Sequence, residues 1–205
     1  MKNKQTIIAL IGLIVILCAA IVAVVALRPG SKPAATPGNI AYVEISVKDY
    51  GVITAVLYGD VAPITVANFL KLADEGFYDG LTFHRIISGF MIQGGDPNGN
   101  GTGGSPDKIT GEFSANGIQN DIAHERGVLS MARSSDKNSA SSQFFIMHAD
   151  APHLNGQYAA FGRVLSGMEV VDAICANTPV QDSNGTVAAA DQPVIEYVKR
   201  IEKED

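Results

Sequence analysis

Apolar side chains along this chain follow no single spacing, and each change of spacing predicts a different element. From Ile7 to Leu27 every residue is apolar or small and none is charged, a run long enough, at about 1.5 Å per residue, to cross a hydrocarbon core of about 30 Å as a helix. From Arg28 to Asn39 prolines and glycines break the run and no period survives, which predicts a solvated linker. Alternation with a period of two follows. Tyr42–Val47 and Val52–Tyr58 read as strands, and Lys48-Asp49-Tyr50-Gly51 between them favours the tight turn of a hairpin. At Ala62 the period becomes helical: Pro63 suits a first turn, Val66, Phe69, Leu70 and Ala73 share a face, and Gly76 stops the run. Further strands are predicted at Leu81–Ile87, Phe90–Gly94, Val128–Ala132, Gln143–Met147, Ala160–Val164 and Val194–Ile201. A second helix is predicted from Met168 to about Ala176, on the spacing of Val170, Val171 and Ile174. The glycine- and serine-rich loops between strands are too varied for helical crossovers, so the sheet is expected to be antiparallel. The sum is a mainly β domain: a closed antiparallel β-barrel capped by two α-helices, preceded by one N-terminal transmembrane helix. Its parts are residues 1–27, an anchor or uncleaved signal, 28–39, a Pro/Gly linker, and 40–205, the folded domain.

The most telling stretch is Phe83-His84-Arg85-Ile86-Ile87-Ser88-Gly89-Phe90-Met91-Ile92-Gln93-Gly94-Gly95-Asp96. Alternation puts Phe83, Arg85 and Ile87 on one face of a strand, and Met91 and Gln93 on one face of the next. A guanidinium and an amide then stand beside Met91 over an apolar floor. The motif has no activated nucleophile, carboxylate pair or metal-ligand cluster, so it is suited to hold and polarise a neutral group.

This segment resembles the signature of the cyclophilin family of peptidyl-prolyl cis/trans isomerases, and other blocks follow in that family's order. They are Asn100-Gly101-Thr102-Gly103-Gly104, Gly127-Val128-Leu129-Ser130-Met131-Ala132, Ser142-Gln143-Phe144-Phe145-Ile146, and Leu154-Asn155-Gly156 leading to Phe161-Gly162-Arg163-Val164. The resemblance spans roughly residues 40 to 205 and implies a cofactor-free isomerase acting on proline-containing polypeptides. It implies that Arg85 is the catalytic arginine and that Phe90, Met91, Phe145 and Leu154 cup the proline ring. Gln93 would orient Arg85 and the substrate carbonyl. Gly101 would allow close approach, the Ala132–Arg133 backbone would pair with an extended peptide, and Gln143 shares a strand face with Phe145. Phe83, Phe113, Phe144 and Phe161 are better read as core. Three positions depart from well-studied eukaryotic members: His153 replaces a tryptophan, Tyr158 a groove histidine and Arg133 an asparagine. Since that tryptophan helps bind cyclosporin more than it helps catalysis, weak or no cyclosporin binding is expected with activity retained. A non-catalytic module or holdase for proline segments is the alternative, and the presence of both Arg85 and Gln93 argues against it.

Charge and cysteine content narrow the setting. All 21 acidic residues follow residue 39 while Lys2, Lys4, Arg28 and Lys32 precede it, so the domain is more acidic than the whole chain at −6 and a poor partner for nucleic acid. Lys2, Lys4 and the terminal amine before the span, against Arg28 and Lys32 after it, lead to the expectation of a single-pass protein with its domain on the extracytoplasmic side of a cell membrane. A secretory apolar core is usually about 7–15 residues, so length favours an anchor; cleavage at Val24-Val25-Ala26 would release a secreted domain. Cys18 sits in the span and Cys175 stands alone in the domain, so no internal disulfide is expected. His84, His124, His148 and His153 lack metal-ligand spacing. The glycine run 98–104 lacks the Lys-Ser/Thr of a phosphate loop. Asn100 and Asn184 each begin an Asn-Gly-Thr glycosylation pattern. Nothing signals an oligomer, and a monomer is expected.

Overall fold

The computed structural model describes residues 40–202, so the apolar segment and the linker lie outside the described residues. Among the described residues no helix is long and apolar enough to cross a membrane.

The hairpin forms where alternation places it. Strand β1 (Ile40–Val47) pairs antiparallel with β2 (Gly51–Tyr58), Val47 opposite Gly51, and the turn uses positive φ at Asp49 (66°) and Gly51 (125°). Asp is one of the few non-glycine residues that enter this region at small cost. Val43, Ile45, Ile53, Ala55 and Leu57 point inward and are buried. Helix α1 (Pro63–Asp74) has Pro63 in its first turn and buries Val66, Phe69, Leu70 and Ala73, the face its sequence marks. Its preceding residue, Ala62, has no side chain to cap it. The orphaned amides of Ile64 and Thr65 instead donate to the carboxylate of Glu112, at 3.0 and 2.7 Å, and the Thr65 hydroxyl donates to it at 2.7 Å. A buried carboxylate is tolerated there because a helix start offers unpaired N–H groups and a positive dipole end.

Six more strands follow: β3 (Phe83–Ile87), β4 (Met91–Gly94), β5 (Val128–Met131), β6 (Phe144–Met147), β7 (Ala160–Ser166) and β8 (Ile195–Ile201), with helix α2 (Met168–Asn177) between the last two. All ladders are antiparallel in the order β3-β4-β6-β5-β7-β2-β1-β8. The closed barrel expected from the sequence is corrected here: the sheet makes a half-barrel, and its end strands β3 and β8 share no ladder. They meet where the chain enters each strand, at the single bridge Thr82–Val194 and the bonds from Phe83 N–H to Pro193 O (3.0 Å), Ile195 N–H to Leu81 O (2.8 Å) and Gly80 N–H to Ile195 O (2.8 Å). Pro193 has no N–H to extend the ladder.

Alternation splits the apolar residues between two clusters. Phe69, Tyr78, Phe83, Phe144 and Phe161 fill the interior, with Phe144 edge-on to Phe69 (centroids 5.3 Å, 89°) and to Tyr78 (5.6 Å, 86°). Each fully buried aromatic contributes about 1.5–3 kcal/mol by leaving water. Phe113 is buried there too, so all four phenylalanines assigned to the core belong to it. Met91, Phe145, Met147, Leu154 and Val128 form a second cluster on the outer face of β4, β6 and β5. That outer cluster is the floor of the site.

Candidate active site

Arg85 reaches the site through a local irregularity. Phe83 pairs with Gly94 and Arg85 with Gln93, so His84 is an extra residue in β3, a β-bulge. The expectation that Phe83 shares a face with Arg85 is therefore wrong: the bulge shifts the alternation, sending Phe83 inward with Ile86 while Arg85 and Ile87 turn outward. Beyond the bulge the rule holds, and Arg85 stands opposite Gln93 with Gln93 opposite Phe145.

The polar groups form a connected series. The Arg85 Nη1 group donates to Gln93 Oε1 (3.2 Å), Gln93 Nε2 to Gln143 Oε1 (2.9 Å), and Gln143 Nε2 to Gly101 O (3.1 Å) and Gly103 O (2.7 Å). Each amide is thereby oriented. The other edge of the guanidinium is held by a segment that the sequence marks only with a glycosylation pattern: Arg85 Nε donates to Asn184 O at 2.8 Å. Asn184 belongs to the loop after α2, which lies along the free edge of β3 through Ile86 N–H to Gly185 O (2.8 Å) and Val187 N–H to His84 O (3.0 Å). Among the described residues Arg85 has no carboxylate within 4 Å. Its charge is fixed by neutral acceptors and left uncompensated, with N–H groups to spare.

Beside it lies a groove of about 630 Å³ lined by Arg85, Phe90, Met91, Gln93, Gly101, Ala132, Arg133, Phe145, Leu154 and Tyr158, and also by His84, Asn98 and the loop residues Gln181, Thr186 and Gln192. Two of the sequence-assigned residues do not line it. Gln143 lines the adjoining cavity, and His153 is exposed outside the groove, its ring stacked on Phe90 (centroids 5.7 Å, 29°). Met91, Phe145 and Leu154 are buried and Phe90 half-buried, so the cup is apolar and shallow.

Sequence reasoning missed what stiffens these walls. His124 is buried beneath Phe145 (centroids 6.1 Å, 22°), bonded to Ser130 Oγ (3.0 Å) and Asn155 Oδ1 (3.2 Å). Burial, the largest cause, pushes its imidazole below the usual value, so it packs as a neutral ring. Phe145 meets Tyr158 edge-on (6.0 Å, 82°), and the Arg133 guanidinium lies 4.6 Å from the Tyr158 ring centre and 5.1 Å from that of Phe113. Asp96, 1 % exposed, accepts the amides of Asn98 (2.8 Å), Asn100 (3.1 Å) and Gly101 (2.6 Å). Those N–H groups are what a phosphate would need. They are occupied, so the glycine run shapes a groove wall. Gly101 itself adopts φ 88°, a conformation that favours glycine.

Residues 42–199 match the family model described as cyclophilin type peptidyl-prolyl cis-trans isomerase/CLD. The chain is 56% identical over 113 residues to "Peptidyl-prolyl cis-trans isomerase B" of Bacillus subtilis, covering 55% of this chain and 76% of the relative. It is 49% identical over 123 residues to "Peptidyl-prolyl cis-trans isomerase CYP18-1" of Arabidopsis thaliana, covering 60% and 75%. Among solved structures it is similar to a Cryptosporidium parvum cyclophilin type peptidyl-prolyl cis-trans isomerase crystallised in the presence of the dipeptide Ala-Pro. There the TM-score is 0.70 at 33% identity, covering 79% of this chain and 99% of that one.

Proposed function

This chain belongs to the cyclophilin-type peptidyl-prolyl cis-trans isomerases, and we propose that it turns X-Pro bonds by gripping proline in the Phe90, Met91, Phe145 and Leu154 cup while Arg85 binds the twisted imide. An X-Pro bond isomerises slowly because rotation destroys amide resonance, with a barrier of about 18–20 kcal/mol. No covalent bond has to form, so the catalyst need only bind the twisted form better than either planar form. In that form the imide nitrogen is pyramidal and regains its lone pair. A donor already aimed at it stabilises the transition state selectively, because no reorganisation is needed at the moment of reaction. The observation that carries the reading is Arg85, held by Asn184 O and Gln93 Oε1 at the rim of an apolar cup with its charge unpaired. Gln93, held in turn by Gln143, is suited to meet the substrate carbonyl.

A peptide titration followed by NMR tests the placement. Adding Ala-Ala-Pro-Ala should shift the amides of Phe90, Met91, Ala132 and Phe145 most, and maximal shifts on the opposite face of the sheet contradict it. A module that only captures proline has little use for a fixed donor on the imide, which argues against the non-catalytic reading.

The setting is part of the same proposal. The uncharged run from Ile7 to Leu27 and the Lys2 and Lys4 that precede it support a membrane-tethered domain on the extracytoplasmic side, acting on exported proteins. Protease added to intact cells should remove the domain. Digestion only after lysis contradicts the orientation.

A further inference from the structure

A second cavity, of about 340 Å³, adjoins the groove and shares Gln93, Gly101, Ala132 and Arg133 with it. Its floor is serine and glycine, and its charged lining residues are Lys108 and Arg133. Neither cavity is lined by a single Asp or Glu, in a chain that has 21 of them against 15 Lys and Arg. The neighbouring acids are engaged elsewhere. Asp96 is buried and accepts the loop amides. Asp107 pairs with Lys71 at 3.2 Å, and Asp136 accepts Asn138 N–H within its own turn at 2.9 Å.

Among the described residues neither Lys108 nor Arg133 has a carboxylate within 4 Å. Arg133 is also fixed. Its Nε and Nη2 donate to Gln157 O (3.2 and 2.9 Å) and its Nη1 to Ser134 O (2.8 Å), with the Tyr158 ring beneath it. Because these acceptors are neutral, a cation stands preorganised at the junction of the two cavities with N–H groups free for a ligand.

We propose that this second cavity selects proline segments carrying an aspartate or glutamate two or three residues before the proline, its carboxylate held by Arg133 and Lys108. The inference rests on the isomerase reading above. The carbonyl before the proline has to meet Gln93, and Gln93 lies between the two cavities, so the upstream chain runs past Gln143 into the second. At about 3.3 Å per residue, a side chain two or three residues upstream lies about 7–10 Å from the proline. Asp96 lies under the same loop but is buried and bonded to its amides, whereas Arg133 and Lys108 line the cavity and act at contact.

The test compares kcat/KM of the full chain, in detergent micelles, for three peptides that carry Glu, Gln or Lys at the third position before an Ala-Pro bond. Glu should exceed Lys by about five- to ten-fold, as expected for partly exposed ion pairs, with Gln between them and the ratio shrinking at high salt. In Lys108→Glu the Glu-to-Lys ratio should fall to near one or invert. The ratio is its own control, since damage to folding or to the shared catalytic centre lowers all three rates together. Equal rates for the three peptides, or a ratio unmoved in Lys108→Glu, overturn the subsite while leaving the isomerase intact. No acceleration of any peptide overturns the isomerase reading itself.

Discussion

Arg85 is where the chemistry is concentrated, and what makes it competent is the pair of acceptors that aim it rather than any perturbation of its charge. Arg85→Lys keeps a cation but loses the planar fork shared between Asn184 O and Gln93 Oε1. It should lower kcat about ten- to hundred-fold with KM little changed, measured by NMR exchange on a short Ala-Pro peptide. An equal loss through KM contradicts a transition-state role. His153 stacks on Phe90 outside the groove, where the resemblance places a cyclosporin-binding tryptophan, so inhibition by cyclosporin should need micromolar concentrations, and submicromolar inhibition contradicts this. Two buried histidines give a pH signature. His84 and His124 are 4 % and 2 % exposed, and burial, the largest cause, pushes both below the usual imidazole value. The unfolded chain then takes up their protons first, so the stability they contribute is complete above about pH 6.5 and is lost as pH falls below it. Urea midpoints should drop between pH 7 and pH 5, and drop less in His124→Gln. At this scale the sequence disclosed Arg85, Gln93 and the outward Phe145, because alternation is a local rule. It hid the bulge at His84, which a run of apolar and polar residues does not announce, and with it the parting of Phe83 and Arg85 onto opposite faces.

Elements bring distant chain together, and two of the joins are invisible to periodicity. Glu112 caps α1 from nearly fifty positions away, as a side chain in a loop. The segment after α2 lies along the edge of β3 and offers a backbone carbonyl to Arg85, and a carbonyl carries no residue signature. Gly185 is the hinge of that contact. It has φ 78°, and an added Cβ would run into Ile86 O and lie 2.6 Å from Ile87 Cγ1. Gly185→Ala should push the loop off β3, free one edge of the Arg85 guanidinium and lower kcat/KM by about ten-fold or more, although no side chain of the groove is altered. Unchanged kinetics in a folded Gly185→Ala protein contradict the aiming role of Asn184. The strands and both helices, by contrast, were legible throughout, since Val66, Phe69, Leu70 and Ala73 or Val170, Val171 and Ile174 can be buried together only on a helix.

For the whole molecule, stability rests on packing. Cys175 is the free cysteine of the described residues, half-buried in α2, and burial together with nearby Asp172 pushes its thiol up to about 11. It should react slowly with thiol reagents at pH 7, and reductant should leave the melting temperature unchanged. The antiparallel sheet was legible from its loops, but its closure was not, because whether β3 and β8 form a ladder or a single bridge depends on Pro193 and on the twist accumulated over eight strands. The groove sits on the outer face of that sheet, floored by the second apolar cluster of β4, β6 and β5, whose buried Met91, Phe145 and Leu154 form the cup beside Arg85 that the isomerase reading requires. The exchange rate of an Ala-Pro peptide in the presence of the full chain, beside the same chain with Arg85→Ala, tests this most directly. Fast exchange that falls about a hundred-fold or more in the mutant, with the peptide still bound, is the expected result. Peptide binding without acceleration by the unmutated chain, or acceleration that survives the loss of Arg85, would contradict it.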